Sequence, residues 1–392
     1  MLDGLLEGFS CPYSFKPDLL NILAREQFVA VIDLLLTRFE EVFVGQGEGV
    51  SEAVRRLIAE SPSNFEVFWS PAIGYARAAL QARNSDLALN AVAHLLLHSA
   101  VNGYKSDWSL RFNVPTELLC GSLALKHCSA LSCVSATVQP SRLTIFSQNS
   151  SFTLDLNDKS IESGVTDSEL CVRLPVGGTS KHQVLLLCEG TAGEFARSYD
   201  TPVCKQVTQH HIEAVSGALN LLATVVPHYY NWVMAITRRL VLVQAPPNQV
   251  ASGTIEGHCG MYFVSDTDDL LLMSEMLVHE SSHQYFNLLA LLDNSVQANH
   301  VTEYYSPFPR RMRNLDRILI AYHAFANVAV LYEELKAQGH YERHLLANRN
   351  LLRDVKQIED ILKKDREYLT EVGKGMFDPL LARREALCAV AA

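Results

Sequence analysis

The hydrophobic period of this chain switches repeatedly between helical and strand spacing, and that switching constrains its fold more than any single motif. Up to about residue 105, apolar residues recur at helical spacing. Leu20, Ile22, Leu23, Ala30, Val31, Leu34 and Leu35 share one run between Pro17 and Phe43, and 51–60, 70–82 and 85–97 continue the pattern. From about residue 140 the period becomes two. Arg142–Phe146 and Ser151–Leu156 alternate as a hairpin, and Val172–Pro175 with His182–Cys188 form a second strand pair. Helical spacing returns over Thr208–Ile236, with Pro227 as its break. Arg239–Gln244 and Gly260–Val264 are short strands. Ser265–Asp269 then offers N-capping side chains to a helix running to about Leu292. The expected class is α+β and mostly helical: a helical N-terminal domain over 1–135, a small β-rich module over 136–205 and a helical catalytic domain over 206–392.

A chain of 392 residues can bury a large core, and 48% hydrophobic with 19% charged residues describes an ordinary globular protein. No apolar run reaches about 18 residues, so no membrane span is expected. The N-terminus lacks the basic region of a signal peptide. Nine cysteines, odd in number and without a CxxC pair, read as reduced thiols, which fits a cytoplasmic protein. Cys128, Cys133 and His127 match no common metal knuckle and read as loop or core residues. A net charge of −10 argues against nucleic acid as a partner.

The chemistry centres on His279-Glu280-Ser281-Ser282-His283. Histidines four apart on a helix share a face, so both imidazoles can reach one metal ion. Glu280 stands where a metalloprotease keeps its general base. The pair His94 and His98 has the same spacing but no adjacent carboxylate, and it reads as part of an apolar helix. Glu275 and Asn287 continue the His279/His283 stripe, where they can hold the second ring nitrogens. A third ligand is expected from the next long helix, from about Leu315 to Lys336. There His323 sits among apolar and aromatic residues, and Glu333 and Glu334 lie near the polar end. Just before it, Tyr304–Arg317 carries Arg310, Arg311, Arg313 and Arg317 against the single Asp316, a local reversal of the chain's acidity. Guanidinium forks beside a metal suit an anionic small molecule.

Four blocks in order, His279-Glu-Ser-Ser-His283, Tyr305-Ser-Pro with its arginines, Leu319-Ile-Ala-Tyr-His-Ala-Phe-Ala-Asn-Val328 and Leu369-Thr-Glu-Val-Gly373, resemble the HEXXH-motif peptide-modification proteins. The resemblance covers roughly residues 255 to 375. It implies an iron(II)- and α-ketoglutarate (2-oxoglutarate)-dependent oxygenase that uses O2 to hydroxylate a precursor peptide, commonly at a β-carbon. The fold it implies is a metalloprotease-like helical core rather than a jelly roll. By position, His279, His283 and His323 would hold iron, and one or more of the arginines, with Arg313 and Arg317 foremost, would bind the co-substrate carboxylate. Asp316 is a substitute ligand or a supporting group, and Glu280 orders the site or meets the substrate. The competing expectation is a zinc metallopeptidase with Glu280 as base and a downstream glutamate such as Glu333 as third ligand.

Overall fold

The structure, a computed structural model, describes residues 2–45, 49–60, 65–101, 107–119, 130–139, 142–146, 151–155, 161–163, 171–175, 183–189, 201–244, 250–254, 257–290, 292–340 and 349–391. His127 and Cys128 and the turns expected over 147–150 and 177–178 lie outside them, as do the side chains of Cys133 and His98.

The chain begins with α1 (Leu2–Ser10), α2 (Pro17–Arg38), α3 (Glu40–Gly45), α4 (Val50–Glu60), α5 (Phe65–Phe68), α6 (Ala72–Ala82) and α7 (Ser85–Val101). The strands β1 (Trp108–Leu119), β2 (Ala130–Gln139), β3 (Arg142–Phe146), β4 (Ser151–Asp155), β5 (Ile161–Ser163), β6 (Cys171–Pro175) and β7 (Gln183–Leu187) follow. Two helices, α8 (Gln209–Val225) and α9 (Pro227–Ile236), meet at Pro227, which tolerates the first position of α9 because its missing N–H would be unpaired there anyway. Then come β8 (Arg239–Val243), β9 (Ser252–Thr254), β10 (Met261–Ser265), α10 (Leu270–Leu289), β11 (Glu303–Ser306), β12 (Arg311–Asn314), α11 (Leu315–Ala337), α12 (Arg349–Lys364) and α13 (Glu371–Ala391). The mostly helical α+β class stands, and the described strands form a meander, a mixed sheet and a hairpin rather than a jelly roll.

The chain divides into two compact units, one of 1–20, 213–237 and 267–392, the other of 21–212 and 238–266. This division departs from the sequence boundaries at 135 and 205. Strands β1 and β2 already begin within the stretch expected to be helical, and the first twenty residues belong with the HExxH helix.

In the unit of 21–212 and 238–266, β1 to β5 form an antiparallel meander. The second sheet has the order β6-β7-β8-β10-β9, in which β7, β8 and β10 run parallel. Their sequences, QVLLL, RLVLV and MYFVS, are almost unbroken apolar runs, as strands buried on both faces require. The β-rich stretch is therefore two structures, because β6 and β7 join strands from much later in the chain.

In the unit of 1–20, 213–237 and 267–392, α10 starts where the capping cluster predicts. The Asp269 carboxylate accepts from the Leu271 and Leu272 N–H groups at 2.9 and 3.2 Å. Helix α11 is long and apolar enough to cross a membrane by length and composition, but 83% of its apolar window is buried, which makes it a core helix. It ends at Gly339, whose φ of 77° suits glycine and lets the His340 N–H reach back to the Leu335 carbonyl at 2.9 Å. The core between these helices is aromatic. Trp232 stacks on Tyr285 with centroids 4.3 Å apart, and Tyr285 donates to the Trp232 carbonyl at 2.8 Å.

Candidate metal centre

Halfway along α10, the i, i+4 spacing brings His279 and His283 together with their Nε2 atoms 3.1 Å apart. The Glu280 carboxylate, 1% exposed, approaches to 3.8 Å from His279 Nε2. One ligand atom from each of the three lies within 4.8 Å of the others. Burial pulls His279 down to about 4, aided by the charge of His323, so its imidazole is neutral at pH 7. Burial also takes His283 well below the usual histidine range, with further contributions from His279, His323, Arg313 and Arg317. Two neutral imidazoles, each able to present an unprotonated ring nitrogen, and a carboxylate form a metal donor set.

Helix α11 supplies His323 from the core, but its Nε2 is turned away from this group. It donates to the carbonyl oxygens of Phe9 and Ser10, 3.0 Å from each. Those carbonyls end α1, where no further helical N–H is available to them. Trp232 donates to the neighbouring Gly8 carbonyl at 3.1 Å and Asn327 to Ser10 at 2.9 Å, so three side chains close the buried end of α1. His323 thus acts as a helix-closing donor, outside the three-residue group expected to include it. Its Nδ1 is buried without a hydrogen-bond partner.

The flanking polar residues also have other uses. Glu275 accepts from the Tyr332 hydroxyl instead of holding a histidine ring, and burial raises its pKa against the pull of that bond. Asn287 makes no hydrogen bond to either histidine among the described residues. Glu334 is held by Tyr13, His228 and Arg383, and neither it nor Glu333 joins the His279 group.

Arg310, Arg311 and Arg313 sit on the hairpin of β11 and β12, which leads straight into α11, and Arg317 lies in the first turn of that helix. Arg310 holds the turn with φ 50° and is exposed, as is Arg311. Arg317 is 59% exposed and pairs loosely with Asp316 at 3.8 Å. Arg313 is different. It pairs across the hairpin with Tyr304, is half-buried, and carries a buried Nε with no hydrogen-bond partner. Burial and the charges of Arg311 and Arg317 oppose its own charge, and Asp316 only partly offsets them. An unpaired buried guanidinium donor among like charges has the chemistry to bind an anion.

One wall of the site was not legible beforehand. Phe308, in the hairpin turn, stacks on Phe325 of α11 with centroids 3.5 Å apart, and the Phe325 and His279 rings meet edge to face with centroids 4.5 Å apart. Both phenylalanines lie in stretches already singled out for other residues, and nothing in their spacing pairs them.

No protein-family model matches the chain, and no curated protein matches it either.

Proposed function

We propose that the chain is an iron(II)- and 2-oxoglutarate-dependent oxygenase that hydroxylates a residue of a ribosomally made precursor peptide, at a β-carbon. The observation that carries this is Arg313, whose buried, partnerless Nε belongs to a cluster of arginines close enough to His283 to depress its pKa. A co-substrate with two carboxylates calls for such a group, and a guanidinium fork binds one of them bidentately.

The donor set fits the metal. Two histidines and one carboxylate with open positions suit non-haem iron(II). The 3.1 Å between ring nitrogens matches the roughly 3 Å edge expected when both bind one ion at about 2.1 Å. His279 and His283 would hold iron, Glu280 would supply the carboxylate, and Arg313 would orient 2-oxoglutarate, with Arg317 adding charge. Bound iron and 2-oxoglutarate supply the oxidising chemistry. The chain's own part is to keep the imidazoles neutral, fix the co-substrate carboxylate and exclude water with Phe308 and Phe325. A peptide substrate is supported by the hairpin, where Tyr305 and Met312 form a cross-strand pair with side chains 47% and 52% exposed.

The second reading, a zinc metallopeptidase, is favoured by the burial of Glu280 beside the histidines, where a general base belongs. It lacks the downstream glutamate ligand, since Glu333 stands outside the group. Supplying iron(II), 2-oxoglutarate, O2 and a precursor peptide to the protein separates the two. The oxygenase adds an oxygen atom to the peptide and loses that activity in Arg313→Ala. The peptidase cuts the peptide with zinc alone and is indifferent to Arg313.

A further inference from the structure

We propose a second metal site, for zinc(II), formed by Cys204, His211 and Asp266 at the carboxyl end of the parallel strands. In this unit β7, β8 and β10 run side by side, and the chain positions just beyond them converge. Asp266 directly follows β10, and its N–H donates to the Val243 carbonyl at the end of β8. Cys204 lies on the other side of β8, held by its N–H to the Leu242 carbonyl at 2.8 Å and by the bridge of Val203 to Val243. Both side chains are thereby fixed to one rigid strand end, the usual ligand-binding edge of a parallel sheet.

His211 comes from the first turn of α8. Thr208 and His211 form a reciprocal cap. The Thr208 N–H donates to His211 Nδ1 at 3.0 Å, and the His211 N–H returns to Thr208 Oγ1 at 3.4 Å. This cap fixes the ring so that Nε2 faces Asp266 Oδ2 at 3.3 Å. One ligand atom each from Cys204, His211 and Asp266 lies within 4.8 Å of the others, and the 3.3 Å separation is the length of one edge of a tetrahedral zinc set, roughly 3.3–3.8 Å. Cys204 and His211 are buried while Asp266 is 38% exposed, so the group opens to solvent on one side. His210, with Nε2 3.5 Å from Asp266 Oδ1, can serve as a fourth donor.

Thiolate, imidazole and carboxylate together suit a borderline-soft divalent ion, not calcium or magnesium. A cysteine nucleophile is disfavoured by the same geometry. His211 Nδ1 is taken by the Thr208 N–H and Nε2 by Asp266, which leaves no ring nitrogen to accept the thiol proton. On zinc binding, the thiol proton leaves to solvent and the ring proton moves from Nε2 to Nδ1. There Thr208 Oγ1, at 3.1 Å, is placed to accept it in exchange for the bond from the Thr208 N–H.

The test is cobalt(II) titration of the reduced, metal-free full chain carrying His279→Ala and His283→Ala, so that uptake reports this site alone. The expected result is one equivalent bound with thiolate-to-cobalt charge-transfer absorption, displaced by zinc(II). Cys204→Ser abolishes the absorption, and Asp266→Asn weakens binding by about tenfold or more. His211→Gln keeps an acceptor for the Thr208 N–H, so the cap survives while the ligand is lost, and it too abolishes uptake. No thiolate absorption in the parent protein, or absorption that survives Cys204→Ser or His211→Gln, overturns the proposal.

Discussion

His323 Nε2 lies 3.0 Å from the carbonyl oxygen of Ser10, a residue 313 positions earlier, and this bond closes the buried end of α1. His323→Ala leaves the Phe9 carbonyl without its donor and the Ser10 carbonyl with Asn327 alone, and it opens a cavity. The expected loss of unfolding free energy is about 2–4 kcal/mol. Denaturant unfolding measures it, and elemental analysis should find metal uptake at His279 and His283 retained. Loss of metal with unchanged stability would make His323 a ligand instead.

The same residue gives a pH dependence. Burial lowers His323 to about 4 in the folded chain, against an ordinary value of 6.5. Between those values the unfolded chain binds a proton that the folded one refuses. Stability is therefore full above about pH 6.5 and falls as pH drops toward about 4. Urea midpoints across that window should decline in the metal-free protein and decline less steeply in His323→Gln. Equal slopes in the two proteins would count against it.

On the hairpin, Arg313 and Arg310 should behave oppositely. Arg313→Lys keeps the charge but loses the fork, and the KM for 2-oxoglutarate should rise about tenfold or more. Arg310 occupies a positive φ of 50°, so Arg310→Gly should leave activity unchanged and stabilise the fold by about 0.5–1 kcal/mol. Steady-state kinetics and thermal unfolding of the two variants check both.

Thiol labelling tests the burial directly. Burial pushes Cys11 and Cys259 up to about 12, so neither is a thiolate at neutral pH. Iodoacetamide followed by peptide mapping should leave both unmodified in the native chain and modify both after denaturation. Rapid native labelling of either would contradict this packing.

Local features were readable in the sequence because their causes are local. The α10 helix starts at Asp269 because that carboxylate caps it, and His279 and His283 meet because they are four apart. The parallel pairing of β7 with β8 was hidden, since apolar strands of similar composition fit several partners and two helices separate them. The orientation of His323 was hidden for a related reason. Its Nε2 answers to carbonyls of α1, which no pattern around residue 323 reveals. Among four clustered arginines, the sequence pointed to Arg313 and Arg317 alike. Only the fold, which sets Arg313 opposite Tyr304 on the hairpin and Arg317 in the first turn of α11, separates the half-buried arginine from the exposed one.

The decisive measurement is product analysis after oxygen is admitted to the anaerobic protein with iron(II), 2-oxoglutarate and precursor peptide. An oxygenase using His279, His283 and Arg313 forms succinate in step with each oxygen atom added to the peptide. Cleaved peptide without succinate would contradict it.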